Sequence, residues 1–134
     1  MPECNELETI SKQWISLWCP PVDWKLFDQL HSDHFEDCSS GGRPPTKEGF
    51  AQGLKEFVTA FPDLHTTIED LVIDEKKSQV AVRWSAHGTN RLPFLGNGPT
   101  NRITQISGIE IIEISNGKIV RRWGEWDISA HFEK

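Results

Sequence analysis

Basic charge is in deficit in this chain: 14 Lys and Arg stand against 20 Asp and Glu, for a net charge of −6. Nucleic-acid binding ordinarily needs a basic patch, so this balance argues against it. The acids are spread along the chain and not gathered into a tail, which reads as solubility and not as a code for a partner. No apolar run approaches the roughly 20 residues of a membrane span. The opening "MPECNELETI" lacks the basic start and apolar stretch of a secretory signal. The expected compartment is the cytoplasm, with no membrane partner. Cys4, Cys19 and Cys38 are odd in number and show no CxxC spacing, so neither a disulfide framework nor a metal knuckle is expected. The histidines show no HxH or HxxxH spacing. No GxSxG elbow is present, and "GGRPP" lacks the lysine and the strand–helix setting of a phosphate loop. No metal and no cofactor is therefore expected. Repeats and low-complexity tracts are absent as well.

What remains is an ordinary globular composition, 37% hydrophobic and 25% charged, over 134 residues. That length suits one domain, residues 1–134, with a core large enough to need no staple. The first half has helical periodicity. In "LETISKQWISLW", Leu7, Ile10, Trp14, Leu17 and Trp18 recur at three and four residues, and Pro20 and Pro21 stop the pattern. Asp23 can cap a second helix, "WKLFDQLH", carrying Trp24, Phe27 and Leu30 on one side, with His31 expected at the surface. "SSGGRPP" is loop. Thr46 opens a third helix with Phe50, Leu54, Phe57, Val58 and Phe61 as its buried face, ended by Pro62.

After Pro62 the period changes to two. "HTTIEDLVID" reads as a strand, "EKKS" as a turn and "QVAVRWSAHGTNR" as a second strand with Val80, Val82 and Trp84 facing one way. "LPFLGNGPTN" is loop. "RITQISGIEIIEI" and "KIVRRWGEWDIS" are two more strands joined at Ser115-Asn116-Gly117. Helices followed by a run of strands indicate an α+β fold, helices covering one face of a curved antiparallel sheet. Alternation puts Trp123, Glu125 and Asp127 on one face of the last strand and Arg122, Gly124 and Trp126 on the other. A three-residue turn would join Gln105, Ser107, Ile109 and Ile111 to the Asp127 face. A two-residue turn at Asn116-Gly117 would shift the register and bring Ile106 and Gly108 there.

The stretch from "AFPDLHTTIEDLVIDEKKSQVAVRWSAHGTN" through "FLGNGPTNRITQISGIEIIEISNGKIVRRWGEWD" resembles the SnoaL-like polyketide cyclase family. The features that match are "FPDL" after the third helix, "RWSAHGT" on a strand, "FLG" leading through "PT" into "GIEI", and "NGKIVRRWGEWD". "FDQLHSDHFEDC" fits the family's second helix and short first strand, so the resemblance runs from about Leu7 to Asp127. It implies the cone-shaped nuclear transport factor 2-like (cystatin-like α+β) fold shared with ketosteroid isomerase. In that fold three N-terminal helices pack on a curved sheet around a deep apolar pocket, often in a homodimer. Studied members carry out a cofactor-free intramolecular aldol cyclisation of an aromatic polyketide ester, with an aspartate of the last strand as general acid/base. Asp127 matches that aspartate by position. Two departures stand out: Cys38 and Asn90 occupy places where the family often has histidine, and Arg91 and Pro93 alter the pocket lip. The fold hosts isomerases, dehydratases and plain binders, so fold alone does not select the reaction.

Aldol chemistry needs a base to take a proton beside a carbonyl and an acid to protonate the new alkoxide; one carboxyl group can do both in turn. Asp127 is the expected catalytic residue, made suitable if tryptophan rings enclose it. The expected pocket is lined by Trp123, Glu125, Trp84, Ile109, Ile111, Phe94, His34 and His87, with Phe94 and Leu95 closing the mouth. His65 and His131 are further candidate bases, because histidine titrates near neutrality. The expected ligand is a small hydrophobic molecule. The competing expectation is a non-catalytic binding or dimerisation module of the same fold, with Asp127 exposed and paired. On either reading Arg122, Gly124 and Trp126 are expected to meet a helix or a second subunit.

Overall fold

The computed structural model describes residues 4–127. Three helices and five strands follow one another as α1 (Cys4–Ser16), α2 (Trp24–Leu30), β1 (His31–Asp37), α3 (Lys47–Ala60), β2 (His65–Asp74), β3 (Gln79–Thr89), β4 (Ile103–Ser115) and β5 (Lys118–Asp127). The strands form one sheet in the order β1-β5-β4-β3-β2. β2 to β5 pair antiparallel, while β1 lies parallel to β5, so the sheet is mixed and not purely antiparallel. Local chemistry accounts for the helix ends. Asp23 Oδ1 accepts the Leu26 N–H, and Thr46 Oγ1 accepts the Gly49 N–H, each at the start of its helix. α1 ends at Ser16, sooner than its apolar period suggests. Leu17 and Trp18 continue in tight turns, donating to the Trp14 and Ile15 carbonyls, and remain buried.

The helices cover the face of the sheet that carries Val80, Val82, Trp84, Ile106, Ile112, Ile114 and Ile119, all buried with Leu7, Trp14, Phe50, Leu54 and Phe57. His31 belongs to this interior, correcting its expected surface place. It is 1% exposed, between Trp14 and Phe27. Lys47 is also buried; its ammonium group bonds the carbonyls of Asp28 and His31 and pairs with Asp28, tying α2, β1 and α3 together.

The hairpin between β4 and β5 combines both turn geometries considered above. Ser115 pairs with Lys118 across a two-residue turn, with Asn116 and Gly117 both at positive φ (52° and 76°). Ile114 then pairs with Ile119 but Glu113 with Arg121, which leaves Val120 as an extra residue. This bulge undoes the one-residue shift. Beyond it Ile111 pairs with Trp123, Ile109 with Glu125 and Ser107 with Asp127. The face shared by these residues is the one turned away from the helices.

Candidate functional site

β4 and β5 place three large polar or aromatic side chains on the helix side of the sheet: Glu110, Arg122 and Trp126. Glu110 stands directly across from Gly124, and Trp84 on β3 directly across from Gly108. Both glycines are openings for these side chains. A Cβ on Gly124 would collide with the Glu110 carboxylate and the Arg122 guanidinium, and one on Gly108 would come within 2.7 Å of Trp84 Cζ2.

Glu110 is 4% exposed and its carboxylate is fully engaged with donors. Oε1 accepts from Arg122 Nε at 2.8 Å; Oε2 accepts from the indole N–H groups of Trp84 at 3.1 Å and Trp126 at 2.9 Å. The two indoles meet edge-on, with centroids 5.4 Å apart. Arg122 continues the network: Nη1 donates to Asp37 Oδ1 at 2.8 Å and to the Ser39 carbonyl, and the guanidinium lies 5.3 Å from the Phe50 ring centre. Asp37, Arg122 and Glu110 therefore form a buried acid–base–acid row under α3. Burial pushes the Glu110 carboxyl upward from its ordinary value, and Arg122 and the indole donors only partly offset this.

Above this row lie two adjoining pockets with shared walls, taken together as the inner and outer parts of one cavity. The inner part, about 40 Å³, is walled by Trp14, Trp18, Phe50, Trp84, Glu110, Arg122 and Trp126. It holds no more than a water-sized group or a small substituent. The outer part, about 420 Å³, is walled by Phe57, Pro93, Phe94, Leu95, Glu56 and Trp126, which is room for a compact ring system. Arg43, Gly53 and Trp126 border both parts. Phe94 is packed at the mouth, its ring stacked at 5.2 Å on Phe57. The 90–101 loop is held by Asn90, fully buried, whose amide donates to the Leu92 carbonyl and accepts from the Thr100 N–H. Asn90 thus braces the lip from beneath.

Two of the expected site residues stand here: Trp84 in the inner part and Phe94 in the outer. The others do not. Asp127, Glu125, Ile109 and Ile111 are exposed and Trp123 is half-buried, all on the outer face of the sheet. The face assignment is corrected for a simple reason: the Val120 bulge sends the even-numbered positions of β5 inward. The expected helix- or subunit-facing set, Arg122, Gly124 and Trp126, is the one at the cavity. His34 and His87 are exposed; His34 is on β1 away from the cavity, and His87 faces His65 across the β2–β3 pair with ring centres 5.8 Å apart. His131 lies outside the described residues. Among the described residues no three acids, histidines or cysteines cluster as metal ligands, and no helix is long and apolar enough to cross a membrane.

Glu110 and Arg43 carried no motif and were missed. The signal for Glu110 was available: Trp84 shares the core face of β3 with Val80 and Val82, and stepping across the register from Trp84 leads to Gly108, then to Glu110 two residues on.

The family model for SnoaL-like polyketide cyclases matches residues 8–133. No curated protein sequence matches the chain. Solved structures do. TsrD from Streptomyces laurentii superposes with a TM-score of 0.85 at 18% identity, over 96% of this chain and 93% of that one. IdmH from Streptomyces antibioticus, assigned as a polyketide cyclase, gives 0.80 at 21% identity, over 96% and 99%. AclR from Streptomyces galilaeus, assigned as a hydroxylase, gives 0.82 at 19% identity, over 94% and 81%. At these identities the likeness shows the fold, which is thus shared by proteins assigned to different reactions.

Proposed function

Because the chain belongs to the SnoaL-like polyketide cyclase family, we propose that its cavity takes up a small, largely apolar carbonyl compound and turns it over by aldol-type cyclisation or isomerisation. In this reading Glu110, and not Asp127, is the general acid/base. The observation that carries it is a carboxylate in the cavity wall, buried among tryptophans and pushed upward by that burial. The carboxylate takes a proton from the carbon beside the carbonyl. The resulting enolate forms the new carbon–carbon bond at a second carbonyl, and the carboxyl group returns its proton to the alkoxide. The narrow inner part admits only the reacting substituent, while the ring system stays in the outer part.

A second reading, a non-catalytic binding module, is favoured by one specific fact. Glu110 already accepts from three donors, as a carboxylate does whose task is to hold two indoles in place. One pair of variants separates the readings. Glu110→Gln is expected to lower turnover of aromatic β-keto esters by about 10²-fold or more while ligand affinity changes only a few-fold, and Asp127→Asn to leave both unchanged. Turnover abolished by Asp127→Asn and spared by Glu110→Gln would reverse the assignment. Wild-type binding of these esters without turnover would establish the module.

The outer face of the sheet supports a homodimer. Val72 is 67% and Ile109 52% exposed, beside Ile111 and the half-buried Trp123, with Val72, Ala81, Ile111 and Trp123 in one register row. Such a contiguous apolar patch calls for cover, and a second copy of the same face supplies it. Ile109→Lys is expected to shift the particle from dimer to monomer in light scattering, with helix content unchanged. A wild-type monomer at roughly 100 μM, where a dimer with a Kd of about 1 μM is mostly formed, would refute this.

A further inference from the structure

We propose that Arg43 makes the cavity selective for an anionic ligand, a ring-bearing carboxylate whose charged group docks on the guanidinium between the two parts of the cavity. The inference rests on the cavity being a ligand site and adds the chemical class that it takes.

Arg43 lies in the loop between β1 and α3 and borders both parts of the cavity. Its Nε is buried and has no hydrogen-bond partner. None of the ion pairs among the described residues involves it. The acids nearest in the cavity walls are committed elsewhere. Glu110 is held by Arg122 and the two indoles, and Glu56 in the outer part accepts from Gln52. A buried guanidinium N–H left this way beside aromatic rings is unusual, because a buried donor without a partner is costly.

The fold also makes room for it. Gly53 sits inside α3, where glycine disfavours the helix relative to alanine. A Cβ there would lie 2.7 Å from Arg43 Cζ and Nη2 and 2.8 Å from Nε. The near-equal distances put the face of the guanidinium over Gly53, and a side chain at 53 would push it from this place. A planar, oriented guanidinium is the match for a carboxylate, which it can bind through two parallel hydrogen bonds. The rings of Phe57, Phe94 and Trp126 beside it suit an aromatic body of naphthalene size within the 420 Å³ of the outer part.

The test uses 2-naphthoate and its neutral counterpart 2-naphthamide, titrated by calorimetry into the wild type and Arg43→Met. Methionine keeps an unbranched apolar stem at this half-exposed loop position, so the fold is expected to survive, with the melting midpoint as a check. Wild type should bind the carboxylate at least ten-fold more tightly than the amide. Arg43→Met should lose that preference while binding the amide as before. Equal affinities in the wild type, or a preference that persists in Arg43→Met, would overturn the role of Arg43 and leave the cavity's function standing. Failure of the wild type to bind either probe at millimolar concentration would overturn both.

Discussion

Taking the protein from pH 7 to pH 4 should cost the fold about 3 kcal/mol through His31 alone. The imidazole is neutral in the folded state: Nδ1–H donates to the Phe27 carbonyl at 2.8 Å, and Nε2 accepts from the Trp14 indole at 3.0 Å. Protonating Nε2 would set two donors against each other inside an aromatic cage of Phe27, Phe35 and Phe50. Burial is the main cause that pushes its pKa down to about 4 from 6.5; the Lys47 charge adds to this, and the Phe27 carbonyl and Asp28 oppose it. The sign follows. Above pH 6.5 both states hold a neutral ring and stability is flat. Between 6.5 and about 4 the unfolded chain binds a proton that the folded one refuses, so stability falls as pH falls. Below about 4 both are protonated and this contribution is fully lost. In urea titrations at pH 7, 5.5 and 4, the wild type should lose stability more steeply than His31→Gln, whose amide can still serve both partners without titrating. Parallel pH profiles would rule the histidine out.

Arg122→Met should be the most damaging single substitution at the cavity, with a loss of about 3–5 kcal/mol. The arginine is the shared partner of two carboxylates that are almost fully enclosed, Asp37 and Glu110, and Asp37 Oδ2 already has no partner. Removing the guanidinium leaves two buried anions close together, and the damage comes from them more than from the lost bonds. The same substitution in a Glu110→Gln background should therefore cost markedly less than in the wild type. Urea titration of the four proteins gives the coupling directly. Strictly additive losses would mean that the row is three independent contacts and not one unit.

The sequence made some of this architecture readable and hid other parts, for physical reasons. Asp23 and Thr46 announce α2 and α3 because a capping oxygen is a local device. β2 spans the stretch read as a strand, His65–Asp74, with a register shift between Ile68 and Asp70. β1 has no such pattern: only His31, Phe35 and Asp37 of its seven residues are buried, and two of those are polar. Its existence as a strand came only from the family likeness, and its place at the sheet edge from the structure. The inner face of β4 and β5 was ambiguous because isoleucine occurs on both sides of β4, Ile106, Ile112 and Ile114 inside and Ile103, Ile109 and Ile111 outside. Hydrophobicity cannot choose between two such faces. Arg43 was hidden more deeply, since a loop arginine gains its meaning from the helix it lands on.

Val120 gives the last strand something like a reading frame. With the two-residue turn alone, Ile111 would pair with Arg122, and Trp123, Glu125 and Asp127 would share the inner face with Glu110. The one additional residue, between Ile119 and Arg121, shifts the frame and brings Arg122, Gly124 and Trp126 inside instead. Every side chain downstream changes sides together, while the hydrogen-bond ladder and the outline of the sheet persist. A single-codon insertion or deletion at this bulge would thus exchange the whole polar floor of the cavity at once, from an arginine–tryptophan set to a tryptophan–carboxylate set. Such a step gives a fold of this kind a route between chemistries that point substitutions would have to cross one residue at a time.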